Sequence, residues 1–183
     1  METKQKVIDS VITFIVGSGG GGSSNTIVGQ LYPTDYTVSG SGANDVVATR
    51  YYCAYTTTVT KMYLGVSTNS SSQHIILGIY NSLNPTTTGD RPTGWPIDST
   101  ASTTMSGNTD QPVIISLASS ITLTAGNYYW FAYISDQNNT LEECTSGSFV
   151  YNCQYFSQIY NYGWLNISSL GTASPGFVIA AYQ

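Results

Sequence analysis

The sequence predicts an all-β protein: a β-sandwich or barrel preceded by a separate N-terminal arm. Three observations carry this. After Ser24 the chain is a succession of short runs rich in Val, Ile, Thr, Tyr and Phe, residues that suit a pleated, half-buried surface. Turn-forming residues fall between the runs, and no amphipathic helical stripe longer than three turns interrupts them. The first two dozen residues, by contrast, are an apolar segment followed by a Gly/Ser tract.

Val7 to Val16 reads VIDSVITFIV, and Gly17 to Ser24 reads GSGGGGSS. A Gly/Ser tract is a flexible coil, so Gly17, Gly19, Gly20, Gly21 and Gly22 make a hinge that lets the apolar segment sit away from the body. As a strand, the segment gains from its β-branched residues. As a helix, Val7, Ile8, Val11, Ile12, Phe14 and Ile15 form one wide apolar arc opposite Asp9, Ser10 and Thr13. Propensity favours the strand and pattern favours the helix, so both stay open. In either form Val7, Ile8, Val11, Ile12, Phe14, Ile15 and Val16 gain ~1.5–3 kcal/mol per side chain on burial, which points to a groove on a neighbouring copy. The plain alternative is a first strand folded into its own sheet, and the glycine spacer argues against it. A secretory signal is a further reading of this start, and Asp9, Ser10 and Thr13 spoil its apolar core. Residues 1–24 are therefore read as assembly arm and hinge, and residues 25–183 as one sandwich domain.

Along the body, the expected strands are Val46 to Tyr55, Thr57 to Thr68, Gln73 to Asn81, Pro112 to Leu117, Ile121 to Thr124, Asn127 to Ser135, Ser148 to Phe156 and Gly176 to Gln183. Asn69-Ser70-Ser71-Ser72, Ala125-Gly126-Asn127 and Pro175-Gly176 supply turns between them. Asn84 to Gln111 is a long connection with almost no alternation, either an exposed binding loop or a partly regular wrap. Ile121 to Asp136 reads as a hairpin around Thr124-Ala125-Gly126. In its second strand Tyr128, Trp130, Ala132 and Ile134 share one face, and Tyr129, Phe131 and Tyr133 the other. Both faces are apolar, so one belongs to the core and the other is covered by a loop, a second copy or a ligand.

Composition narrows the function. Only 8% of the 183 residues are charged, against about 25% in ordinary soluble domains. Such a surface suits contact with other protein or with sugar. The net charge is −5, and the five cations (Lys4, Lys6, Arg50, Lys61, Arg91) are scattered, which excludes a phosphate-binding stripe and hence nucleic acid as partner. No stretch reaches 18 apolar residues, so no membrane-spanning helix is expected. Three cysteines cannot all pair within one chain. Cys144 and Cys153 flank TSGSFVYN, which as a hairpin would bring them into a disulfide and imply an oxidising compartment. Buried thiols are the alternative, and Cys53 reads as a core thiol inside a strand.

Catalytic chemistry finds little support. The one histidine, His74, has no G-x-S-x-G elbow to serve and reads as a structural residue in a strand. No C-x-x-C exists for zinc. Gly17 to Gly22 fits G-x-G-x-x-G formally, but turn formers and a proline follow instead of a helix. The loop carboxylates Asp98, Asp136, Glu142 and Glu143 are the candidates for glycoside hydrolysis, and Glu142 and Glu143 would point apart in a strand. The DQNNTLEE run lacks the glycine of a calcium loop. The chain is thus expected to be no enzyme and to need no cofactor. Sugar binding is the competing function: Trp95, Trp164, Tyr160 and Tyr162 lie near turn residues and are the candidate glycan contacts. Asn69, Asn138 and Asn166 each begin an N-x-S/T sequon for attached glycan.

The runs KMYLGVST, HIILGIYN and LTAGNYYWFAYISD, within Val46 to Asp136, resemble jelly-roll-type β-sandwich modules of phage appendages and secreted microbial surface proteins, in which an LGIY strand and an L-T-A-G-x-Y-Y hairpin recur. The arm is similar to those of donor-strand filament subunits, where an extended segment completes the next subunit's sheet. The resemblance implies a single jelly-roll-like β-sandwich with an N-terminal exchange arm. It implies a structural, self-assembling subunit of an extracellular filament or virion appendage, with identical subunits as partners. The alternative is a carbohydrate-binding module of a surface or phage adhesin.

Overall fold

The computed structural model describes residues 27–29, 36–41, 43–69, 72–83, 90–105, 113–144, 153–157, 164, 166–167, 172–173 and 179–183. The arm Val7–Val16, the hinge Gly17–Gly22, Tyr160 and Tyr162 lie outside them, as do the side chains of Asn69, Cys144 and Cys153. The described residues are all-β. The strands are β1 (Ile27–Gly29), β2 (Tyr36–Ser41), β3 (Asp45–Tyr52), β4 (Thr57–Leu64) and β5 (Val66–Asn69). Next come β6 (Gln73–Ser82), β7 (Pro92–Ser99), β8 (Thr103–Met105), β9 (Val113–Leu123) and β10 (Tyr128–Ser135). The last are β11 (Asn139–Cys144), β12 (Cys153–Ser157), β13 (Thr172–Ala173) and β14 (Ile179–Tyr182).

Two large antiparallel sheets make the body β-sandwich-like. One has the order β1-β14-β4-β9, and the other β13-β12-β3-β10-β6-β7 with β8 also beside β6. A small third sheet, β2-β11-β5, completes the described strands. The main core forms between the two large sheets. Val59, Met62, Leu64, Ile115, Leu123 and Ile179 come from the first, and Val47, Ile75, Leu77, Ile79, Phe131 and Tyr133 from the second. These β-branched, aliphatic and aromatic side chains alternate inward along their strands, the pattern of two sheets packed face to face.

Several expectations need correction. Ile121 to Asp136 is not a hairpin. The chain does turn after Thr124, with Gly126 at φ 84°, but β9 pairs with β4 in one sheet while β10 lies between β3 and β6 in the other. A strand apolar on both faces needs cover on both sides, which a central position supplies and a two-stranded ribbon does not. The corner is tied to the end of β3: Cys53 N–H donates to the Asn127 carbonyl and Gly126 N–H to the Cys53 carbonyl, both at 2.8 Å. Cys53 itself is fully buried but lies just past β3 rather than inside a strand. The run Thr57 to Thr68 divides at Gly65 into β4 and β5, which belong to different sheets. The segments Pro112–Leu117 and Ile121–Thr124 fuse into β9. Its Ile121 pairs with Val59 and its Ser116 with Lys61, so β9 is the longer strand there and bulges instead of turning.

The connection from Asn84 to Gln111 contains β7 and β8, an edge position that accommodates its prolines. β7 bulges in its turn: Thr93 pairs with Asn81 and Asp98 with Ile79, leaving Gly94 to Ile97 opposite Tyr80 alone. Thr100 makes a bridge to Leu117, and the Ser119 N–H and hydroxyl both donate to Asp98 Oδ2 at 2.9 Å. The two bulged edge strands are thus stitched together along one side of the sandwich, which withdraws those edges from pairing with other chains.

Candidate functional site

The face of the seven-stranded sheet turned away from the main core gathers most of the unusual chemistry. Register places Arg50, Trp130 and Tyr80 on one rung across β3, β10 and β6, with Tyr52 and Tyr128 paired on a rung beside it. Even periodicity along each strand brings these side chains to one face. The Arg50 guanidinium lies 4.9 Å from the Tyr128 ring centre and 5.9 Å from that of Trp130. Its Nη1 donates to Asp90 Oδ2 at 2.9 Å, and the Ser82 hydroxyl donates to the same oxygen. The Asp90 side chain is 1% exposed, so this is a desolvated ion pair held by hydrogen bonds on both sides.

Lower on the face, Val46, Ala48, Trp130, Ala132 and Ile134 form a second core with Tyr80 and Ile167. The cover over the outer side of β10 therefore comes from this chain itself. Trp164 lies against Gly78 and stands edge-on to Tyr80, the rings 5.9 Å apart at 85°. A Cβ at residue 78 would come within 2.6 Å of the Trp164 ring, so glycine is what admits the indole. Ile167 exchanges two backbone hydrogen bonds of 2.9 Å with Gly94, which ties this covering segment to the β7 bulge. The indole N–H groups of Trp130 and Trp164 are buried and find no hydrogen-bond partner among the described residues.

The two candidate tryptophans differ in situation. Trp95 is 62% exposed on the β7 bulge, near Ile97 at 42%. Trp164 is half-buried and packs on the second core. Asn138 and Asn166 are exposed, and Asn138 Oδ1 accepts the Ala43 N–H at 2.7 Å. The backbone of Asn69 ends β5 beside Asn139. Cys144 pairs by backbone with Tyr36 and Cys153 with Thr49, in different sheets.

Asp98 and Asp136 have structural partners, while the side chains of Glu142 and Glu143 lie outside the described residues. Asp98 joins the bulges, accepting the Ser99 N–H on Oδ1 at 2.8 Å as well as both Ser119 donors. Asp136 Oδ2 is 2.7 Å from His74 Nδ1, and its Oδ1 accepts the His74 N–H at 2.8 Å. His74 thus serves to hold the β10 end against β6. Glu142 and Glu143 occupy successive positions of β11. Burial pushes the Cys53 thiol above its usual range, and the thiol donates to the Tyr55 carbonyl at 3.1 Å. Among the described residues, no group of His, Cys, Asp and Glu is placed to hold a metal ion.

Sequence reasoning passed over Arg50, Ser82, Asp90 and Gly78. Arg50 carries a weak signal, as a lone cation in a strand of apolar and aromatic residues. Asp90 carries none, since TTTGDRP reads as an ordinary loop. The chain matches no protein-family model and no curated protein.

Proposed function

We propose that the chain is a structural subunit that self-assembles into an extracellular, pilus-like filament or a virion appendage. In this reading its body is a jelly-roll-like sandwich, and Val7–Val16 is an exchange arm seated in a neighbouring copy. The sequence of that arm carries the proposal: an apolar strip joined to the body through Gly17–Gly22. Three features of the body support it. The described core runs from Val28 to Ala181 and is supplied by the body's own strands. The stitched β7 and β9 edges guard against indiscriminate strand pairing and so favour a dedicated arm as the contact between copies. The sparse charge suits a surface largely covered by like subunits. Exchange between identical copies is heterologous and yields rings or open filaments.

Deleting residues 1–16 tests the proposal. Electron microscopy and sedimentation should show polymers for the full chain and dispersed, folded monomers for the shortened one. Polymers that persist after the deletion would refute it.

A further inference from the structure

We infer that the β7 bulge is a binding tip for a neutral glycan, with Trp95 stacking on the apolar face of a pyranose ring and Ile97 flanking it. This site goes beyond assembly and does not depend on the arm. Trp95 is 62% exposed, while Trp130 in the same sheet is 1% exposed. An indole left in water at a fixed edge position is a platform without its ring, because the apolar C–H face of a sugar complements the negative face of the aromatic.

The bulge is built to hold that platform still. Gly94 has φ 69°, a conformation that glycine adopts without strain, and both its backbone groups are bound to Ile167 at 2.9 Å. Pro96 fixes its own backbone φ within the bulge. Asp98 anchors the far end through Ser119. A platform ordered in advance loses little entropy on binding.

The same bulge provides polar partners. The β6 ladder passes from Thr93 directly to Asp98, so the N–H and C=O groups of Trp95 and Ile97 and the carbonyl of Pro96 have no partner on β6. In the proposed site these groups serve as donors and acceptors for hydroxyl groups. The carboxylate of the bulge, Asp98, is taken up by Ser99 and Ser119, which favours an uncharged ligand. Size points the same way. Trp95 and Ile97 together expose on the order of 200 Å², given that a buried tryptophan covers 150–250 Å². A stable protein partner needs about 800 Å² per side, whereas one or two sugar rings need no more than the tip presents.

The test titrates the full chain with cellotetraose, maltotetraose, chitotetraose and lacto-N-tetraose at up to millimolar concentration, read by tryptophan fluorescence and calorimetry. At least one should bind saturably. Trp95→Ala should weaken it roughly tenfold or more, the scale of one lost stacking contact, and Ile97→Ala should weaken it less. Both side chains are exposed, so the thermal melts of the variants should match that of the parent. Removing residues 1–16 should leave saccharide binding intact, which separates this site from the assembly proposal. The inference is overturned if none of the four binds, if Trp95→Ala binds as well as the parent, or if that substitution abolishes polymers in a chain that binds no saccharide.

Discussion

Tyr129, Phe131 and Tyr133 on one face of β10 and Trp130, Ala132 and Ile134 on the other are all buried, yet what covers them differs. The inner three meet a whole opposing sheet, with Met62, Leu64, Leu123 and Ile179 among their cluster. Among the described residues, the outer three are covered by Trp164 and Ile167, beside the Arg50–Asp90 pair. Inner stability is spread over many interchangeable apolar contacts. On the outer face the described contacts are particular ones: a missing side chain at Gly78, a backbone bridge at Gly94 and one desolvated carboxylate. A β-sandwich strand can be apolar on both faces and still be held by two different physical devices.

Three substitutions sharpen this contrast. Phe131→Ala opens a cavity in the inner core and should cost about 4 kcal/mol, read as a large loss in chemical denaturation with cooperative unfolding retained. If it costs under 1 kcal/mol, the inner face is not the principal core. Asp90→Ala leaves the largely covered Arg50 guanidinium, 18% exposed, without that carboxylate and should cost about 3 kcal/mol. A loss under 1 kcal/mol would mean that the pair does not hold the outer face. Gly78→Ala forces the Trp164 ring to move and should cost about 2 kcal/mol, together with a red shift in tryptophan emission. Emission identical to the parent would mean the cover does not depend on residue 78.

The strands richest in Val, Ile, Tyr and Phe were legible in the sequence. Gln73 to Asn81 and Asn127 to Ser135 fall within a residue of β6 and β10, because their composition and alternation leave little choice. The double burial of β10 was legible for the same reason. What failed was pairing. Thr124-Ala125-Gly126 signals a turn, but no local residue says whether the strands on either side remain partners, since that depends on the cover each face finds at long range. Pro92–Ser99 was passed over because Gly94, Pro96 and the bulge they create erase alternation. The outer-face ion pair was hidden for a similar reason: Arg50 and Asp90 lie on separate elements, and only folding brings them within 2.9 Å. Exposure at Trp95 and packing at Trp164 could not be told apart in advance, as T-G-W-P and Y-G-W-L present the same local chemistry.

The pairing of Ile27 with Tyr182 has a bearing on biogenesis. β14 lies between β1 and β4, so the four-stranded sheet stays incomplete on the ribosome until residues 179–182 have left the exit tunnel. Among the described strands the earliest must wait for the latest, and such distant closure makes folding slow. Nascent chains on one message would therefore expose unpaired strand edges well before any of them offered a finished sheet. A cell making this protein has reason to space its translation or to shield the emerging chain.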